Sequence, residues 1–223
     1  RMNALLLSCT CGNFSECVHM NYFNPDREFR QYGDELPHWQ QGSVMQFVTF
    51  RLGDALPLSL VRDWRDERAR WLADHPQPWS EEVRAEYHRR FDARMEHWLD
   101  QGMGRCLFAD ADARRVLAEC LMRFEGERVR HEAWVIMPNH VHVLFSPLAP
   151  MEKLIQAWKS HSARLLGKGS IWQRDYRDTL IRDSNHYANV RRYIRRNPLK
   201  AKLAEGRFSL WERPTEERRH AAD

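Results

Sequence analysis

Lysine is scarce in this chain: of 223 residues only five are lysine, and none precedes Lys153. No apolar run approaches the roughly 20 residues of a membrane-spanning helix, so a membrane partner is not expected. Hydrophobic residues at 43% and charged residues at 30% exclude a compositionally disordered chain. There is no internal repeat and no low-complexity tract. Cysteine is sparse and odd in number, five in all. Three of them, Cys9, Cys11 and Cys17, stand near His19, but at a spacing that matches no common zinc module. The apolar stretch at 4–7 falls short of the roughly 7–15 residues of a secretory signal core. A cytoplasmic, reducing location is the expectation.

The formal charge of +4 is unevenly spread. Residues 151–213 hold fifteen basic side chains against six acidic ones, whereas residues 1–150 hold eighteen against twenty-two. Such a block is either a solvated surface or the footprint of a polyphosphate partner, whose counterions basic groups displace.

At about 150 residues per domain, the length suits one large domain with extensions. Residues 1–43 read as an N-terminal extension and arm. Residues 44–52 (VMQFVTFRL) are β-branched and aromatic, and predict the first core strand. Helical spacing runs through 57–100, broken at Pro76 and Pro78, and predicts a charged helical hairpin inserted into the domain. A helix is expected over 110–124, then two strands, 129–137 and 140–145, joined at Pro138 and Asn139 as an antiparallel pair. A helix over 151–166, a short strand over 179–182 and a last helix over 184–197 follow. The last helix is expected to be capped by Ser184 and stopped by Pro198. The main domain therefore reads as 44–205, with a tail from 206 to 223.

His140 and His142 stand two apart on a strand, so both imidazoles point to one face and could form a metal bidentate. Val141, Val143 and Phe145 alternate with them, which places the histidines on the open face of the sheet. On the last helix Tyr193 and Asn197 share a face, being four apart, and Arg191, Arg192, Arg195 and Arg196 surround them. A phenol among guanidinium groups suits a phosphate ligand. Trp158, Lys159, His161 and Arg164 on one helix, with Trp172, Arg174, Tyr176 and Arg177 after it, alternate cations with aromatics. That pattern binds a nucleic-acid backbone while stacking unpaired bases. Equally, Trp158 and Trp172 serve as core.

Three blocks in order, MPNHVHVL from residue 137, WQR from 172 and YIRRNP from 193, resemble the single-tyrosine HUH transposases. LPHW from residue 36 with FVTFR from 47 narrows the resemblance to the REP-associated tyrosine transposases of bacteria. The similarity runs from about residue 22 to 203. It implies an α+β, ferredoxin-like HUH endonuclease domain with a central antiparallel sheet flanked by helices. It further implies cleavage and rejoining of single-stranded DNA with Tyr193 as nucleophile. His140, His142 and Asn197 would then be ligands of a divalent metal, Mg2+ or Mn2+. The substrate so implied is a repetitive extragenic palindrome, a DNA hairpin with a single-stranded flank. Trp39, Lys159, Arg164, Trp172, Arg174, Arg191, Arg192, Arg195 and Arg196 are the expected DNA contacts. A monomer or a homodimer fits.

Two rival classes share parts of this pattern. A non-catalytic hairpin-binding regulator would keep the basic surface without chemistry, and a replication initiator or relaxase would use the same HUH chemistry on other DNA. A histidine-triad hydrolase is disfavoured because the next alternating position is Leu144.

Overall fold

The computed structural model describes residues 21–33, 38–76 and 78–214. The Cys-rich start, Leu36, Pro37 and the segment from 215 lie outside the described residues. In chain order the elements begin with the short strands β1 (Arg30–Tyr32) and β2 (His38–Gln40), then β3 (Gln46–Arg51). Next come α1 (Leu58–Asp74), α2 (Glu81–Tyr87), a π-helical turn (His88–Asp92) and α3 (Ala93–Asp100). They continue with α4 (Ala111–Met122), β4 (Val129–Ile136), β5 (His140–Pro147), α5 (Met151–Leu165), β6 (Arg177–Leu180), α6 (Ser184–Lys200) and β7 (Ser209–Glu212).

Five strands form one antiparallel sheet in the order β6-β3-β5-β4-β7. Across the sheet, β6, β3, β5 and β4 are thus the fourth, first, third and second of these strands in chain order, the ferredoxin-like arrangement, with β7 added at the β4 edge. Both faces are covered, which is why β4 and β5 are buried nearly throughout. Val48, Phe50, Val141, Val143 and Phe145 meet Leu117 and Leu121 of α4 and Leu154, Ile155 and Trp158 of α5. The opposite face, with Met45, Ala133, Val135 and Leu144, is covered by Val190 and Ile194 of α6.

The segment 57–100 is more than a surface hairpin. Trp64, Trp71, Phe91, Met95 and Leu99 enter the main core, so α3 is fixed against the sheet rather than projecting from it. Ser80 caps α2 by accepting from the Val83 N–H.

Four sequence expectations are corrected. The domain does not end at 205, because Ser209–Glu212 pairs with β4 in register from Ala133↔Glu212 to Ile136↔Ser209. The edge strand β6 is Arg177–Leu180 rather than 179–182, since its ladder with β3 starts at Arg177↔Thr49. The cap of α6 is Asp183, in extended backbone, whose Oδ1 accepts from the His186 N–H at 2.7 Å; Ser184 is already helical. Pro198 does not stop α6. The missing N–H removes a single bond in the final turn, and winding resumes with Ala201 N donating to the Asn197 carbonyl at 3.0 Å.

Candidate active site

The centre of the sheet carries the pair of histidines. His140 and His142 project from β5 toward α6, opposite Arg51 and Thr49 of β3. Both are buried rather than on an open face, because α6 lies over them and the end of α3 closes the side. Their surroundings are polar. Tyr193 Oη and Asn197 Nδ2, one turn apart on α6, each lie 3.3 Å from His142 Nε2. Phe47 stacks on the His142 ring at 5.6 Å and meets Tyr193 edge-on at 5.8 Å, fixing the two relative to each other.

The hydrogen bonds around the rings assign the tautomers. Asn139 Nδ2 donates to the Leu99 and Met103 carbonyls at 3.3 and 3.1 Å, which leaves Asn139 Oδ1 to accept from His140 Nδ1–H at 2.7 Å. Thr49 Oγ1 lies 2.8 Å from His142 Nδ1. With Tyr193 and Asn197 as donors on its other side, His142 carries its proton on Nδ1. Both imidazoles therefore aim an Nε2 lone pair into the same space, 3.1 Å apart. Asn197 Oδ1 is also buried and has no hydrogen-bond partner. Two imidazole nitrogens and an amide oxygen, all acceptors, suit a cation. Among the described residues no group of three or more His, Cys, Asp or Glu forms a metal cluster; here the third donor is an amide.

Electrostatics keep the donors neutral. Burial, with Lys200 nearby, lowers the pKa of His140 to about 3. Burial, then His140, Arg177 and Lys200, holds His142 well below its ordinary value. Tyr193 is pushed far above the usual phenol value by burial first, then by the carboxylates of Glu96 and Asp100 on α3, against the pull of Arg177. Glu96 is itself raised by burial. Asp100 Oδ2 lies 2.9 Å from Lys200 Nζ, tying the end of α3 to the end of α6.

The expected DNA contacts divide. Arg164, Arg174, Arg192 and Arg196 are exposed. Arg191 and Arg195 are not free cations, because both reach Glu212 of β7, at 3.3 and 2.8 Å. Trp172 is core: it meets Phe50 and Phe108, and its indole N–H donates to Ser162 Oγ at 2.9 Å. Trp158 is core as well. Lys159 Nζ is occupied, donating to the carbonyls of Gln173, Arg174 and Asp175 at 3.0–3.1 Å. Trp39 is half-buried and stacked on Phe29 at 5.3 Å. Sequence reasoning missed Thr49, Asn139, Glu96 and Asp100. Thr49 was findable from strand alternation; the i,i+4 acids of α3 carry no mark of which face meets the site.

Residues 105–197 match the family model described as "Transposase IS200 like". His140, His142, Tyr193 and Asn197 all fall inside that match, and the similarity is to DNA-processing transposases. A solved structure of a REP-associated tyrosine transposase bound to a REP hairpin is 16% identical, with 80% of this chain and 76% of that chain covered and a TM-score of 0.43. No curated protein matches the chain. No described helix is long and apolar enough to cross a membrane.

Proposed function

We propose that this chain is a metal-dependent tyrosine transposase that cleaves and rejoins single-stranded DNA beside a hairpin of the repetitive extragenic palindrome type. The observation that carries this reading is Tyr193 Oη, 3.3 Å from His142 Nε2, over two imidazole lone pairs and the orphaned Asn197 amide oxygen. His140, His142 and Asn197 would hold a Mg2+ or Mn2+ ion. When bound, the ion would polarise a non-bridging phosphate oxygen and stabilise charge in the transition state.

The chain's own residues supply the rest. Asn139 and Thr49 keep the Nδ1 protons in place, so both Nε2 atoms stay available. Tyr193 Oη attacks phosphorus, the bond from phosphorus to the 3′ oxygen breaks, and a 5′-phosphotyrosine and a 3′-hydroxyl result. Glu96, a carboxylate beside the phenol from α3, takes the Tyr193 proton, and the leaving 3′ oxygen takes one from solvent water. The ester is retained in the adduct, so a 3′-hydroxyl can reverse the step and join strands without ATP.

Incubation with labelled hairpin DNA carrying a single-stranded flank, with Mg2+ or Mn2+, should give a denaturation-resistant adduct. Tyr193→Phe should bind the hairpin and form none, His140→Ala and His142→Ala should bind and cleave at least about a hundredfold more slowly, and Glu96→Gln should slow the step. A wild-type protein that binds the hairpin yet never forms an adduct with either metal would instead be a hairpin-binding regulator.

A further inference from the structure

Beside the candidate active site lies a cavity of about 290 Å³, walled by β3 and β6 on one side and by α1 and α3 on the other. Four guanidinium-bearing residues line it: Arg51, Arg65, Arg68 and Arg177. Arg51 decides its character. It is only 8% exposed, and among the described residues its guanidinium makes one hydrogen bond, a long one, 3.4 Å from Nη1 to the Leu52 carbonyl. Among the described residues no carboxylate forms an ion pair with it. Burying a guanidinium without a counter-charge is costly, and Arg65 nearby adds repulsion. Both effects pull the pKa of Arg51 down to about 10, burial being the larger.

The other cations are partly engaged. Arg177 meets Asp92 at 2.8 Å, and Arg68 Nε donates to Tyr87 Oη at 2.6 Å. The carboxylate lining the cavity, Asp175, has Oδ1 directed to His38 and to the Tyr176 N–H. Four arginines against this one carboxylate leave the balance positive, and among the described residues the guanidinium of Arg51 has no acceptor beyond the Leu52 carbonyl.

The cavity and the histidine pair share one surface of the sheet. Thr49, which bonds His142, also lines the cavity, while Arg51 sits opposite His140 in the β3–β5 register and Arg177 opposite Thr49 in the β3–β6 register. Adjacent strands are about 5 Å apart, so the cavity lining begins one strand away from the histidine pair.

We infer that this cavity is a second phosphate subsite, in which Arg51 takes the backbone phosphodiester next to the one that is cleaved. The inference rests on the function proposed above and extends it, because α1 and α3, the helical insertion, become part of the DNA-binding machinery. A phosphodiester supplies the two oxygen acceptors that a planar guanidinium matches.

The test uses Tyr193→Phe protein, which cannot cleave, and hairpin DNA in which single phosphates of the flank are replaced by neutral methylphosphonates. Adding Arg51→Met should weaken binding about tenfold, as expected for loss of one charge-assisted phosphate contact, and reduce the slope of log affinity against log salt by about one. One methylphosphonate, beside the scissile position, should weaken the Arg51 protein and leave the Arg51→Met protein unaffected. Without DNA, Arg51→Met should melt at or above the parent temperature, because an unpaired buried charge has been removed. Equal DNA affinity of the two proteins, no position-specific methylphosphonate effect, or a lower melting temperature for Arg51→Met would each overturn the subsite. Failure of the catalytic reading appears separately, as absence of an adduct in wild-type protein.

Discussion

His38 shows how one side chain can be structural where a motif invites a functional role. Its Nδ1 and Nε2 reach Asp178 and Asp175 at 2.5 and 2.9 Å, and its ring stacks on Tyr176 at 3.8 Å. Burial opposes the charge, but the two carboxylates outweigh it and raise the pKa to about 9. The stabilisation is therefore complete below the ordinary histidine value of about 6.5 and is lost as pH rises through 9. It is on the order of 3 kcal/mol. Thermal melts should show stability falling between those limits in wild type, and His38→Gln should flatten that fall. That His140 and His142 share one face, and Tyr193 and Asn197 another, was legible from strand and helix periodicity, and the structure brings the two pairs together at His142 Nε2; the chemical roles proposed for them came from the resemblance, not from periodicity. The burial of the histidines was not legible, since the alternation of Val141 and Val143 identifies one core face and is silent on what covers the other.

Among the elements, strands with alternating or β-branched residues were read correctly in type and order, and so was the helical nature of 57–100. What escaped was tertiary. Trp64, Phe91 and Leu99 look alike whether they pack within a hairpin or into the sheet core, so the seating of α3 beside Tyr193 could not be foreseen. The short strand β7 was invisible because SLWE carries no alternation long enough to register. The seating of α3 depends on the turn after it. Gly104 has φ +82°, and a Cβ there would stand 2.2 Å from the Asp54 carbonyl oxygen, while Arg105 N and Nε donate to Asp54 Oδ2. Gly104→Ala should cost about 2 kcal/mol or more in denaturant unfolding. Gly126→Ala, also at positive φ (+79°) but with nothing within 4 Å of the added atom, should cost only about 1 kcal/mol. Equal costs would mean the α3 turn is not held as described.

Across the whole molecule, the basic C-terminal third is less free than its composition suggests. Arg177, Arg191, Arg195, Lys200 and Arg213 are each paired with a carboxylate, mostly from elements outside the basic block. Arg192 and Arg196 remain exposed on the helix that carries Tyr193. Replacing Arg192 and Arg196 by Ala should therefore weaken hairpin binding and its salt dependence more than replacing Arg191 and Arg195, measured by titration at two salt concentrations. The opposite ranking would place the DNA on the β7 side. The function proposed above turns on Tyr193 acting as the nucleophile beside the histidine pair. The most direct measurement is peptide mass mapping of the covalent product formed with hairpin DNA and Mn2+. The expected result is a nucleotide on Tyr193 alone; a nucleotide on Tyr176 or Tyr187, or no modified peptide in protein that binds the hairpin, would contradict it.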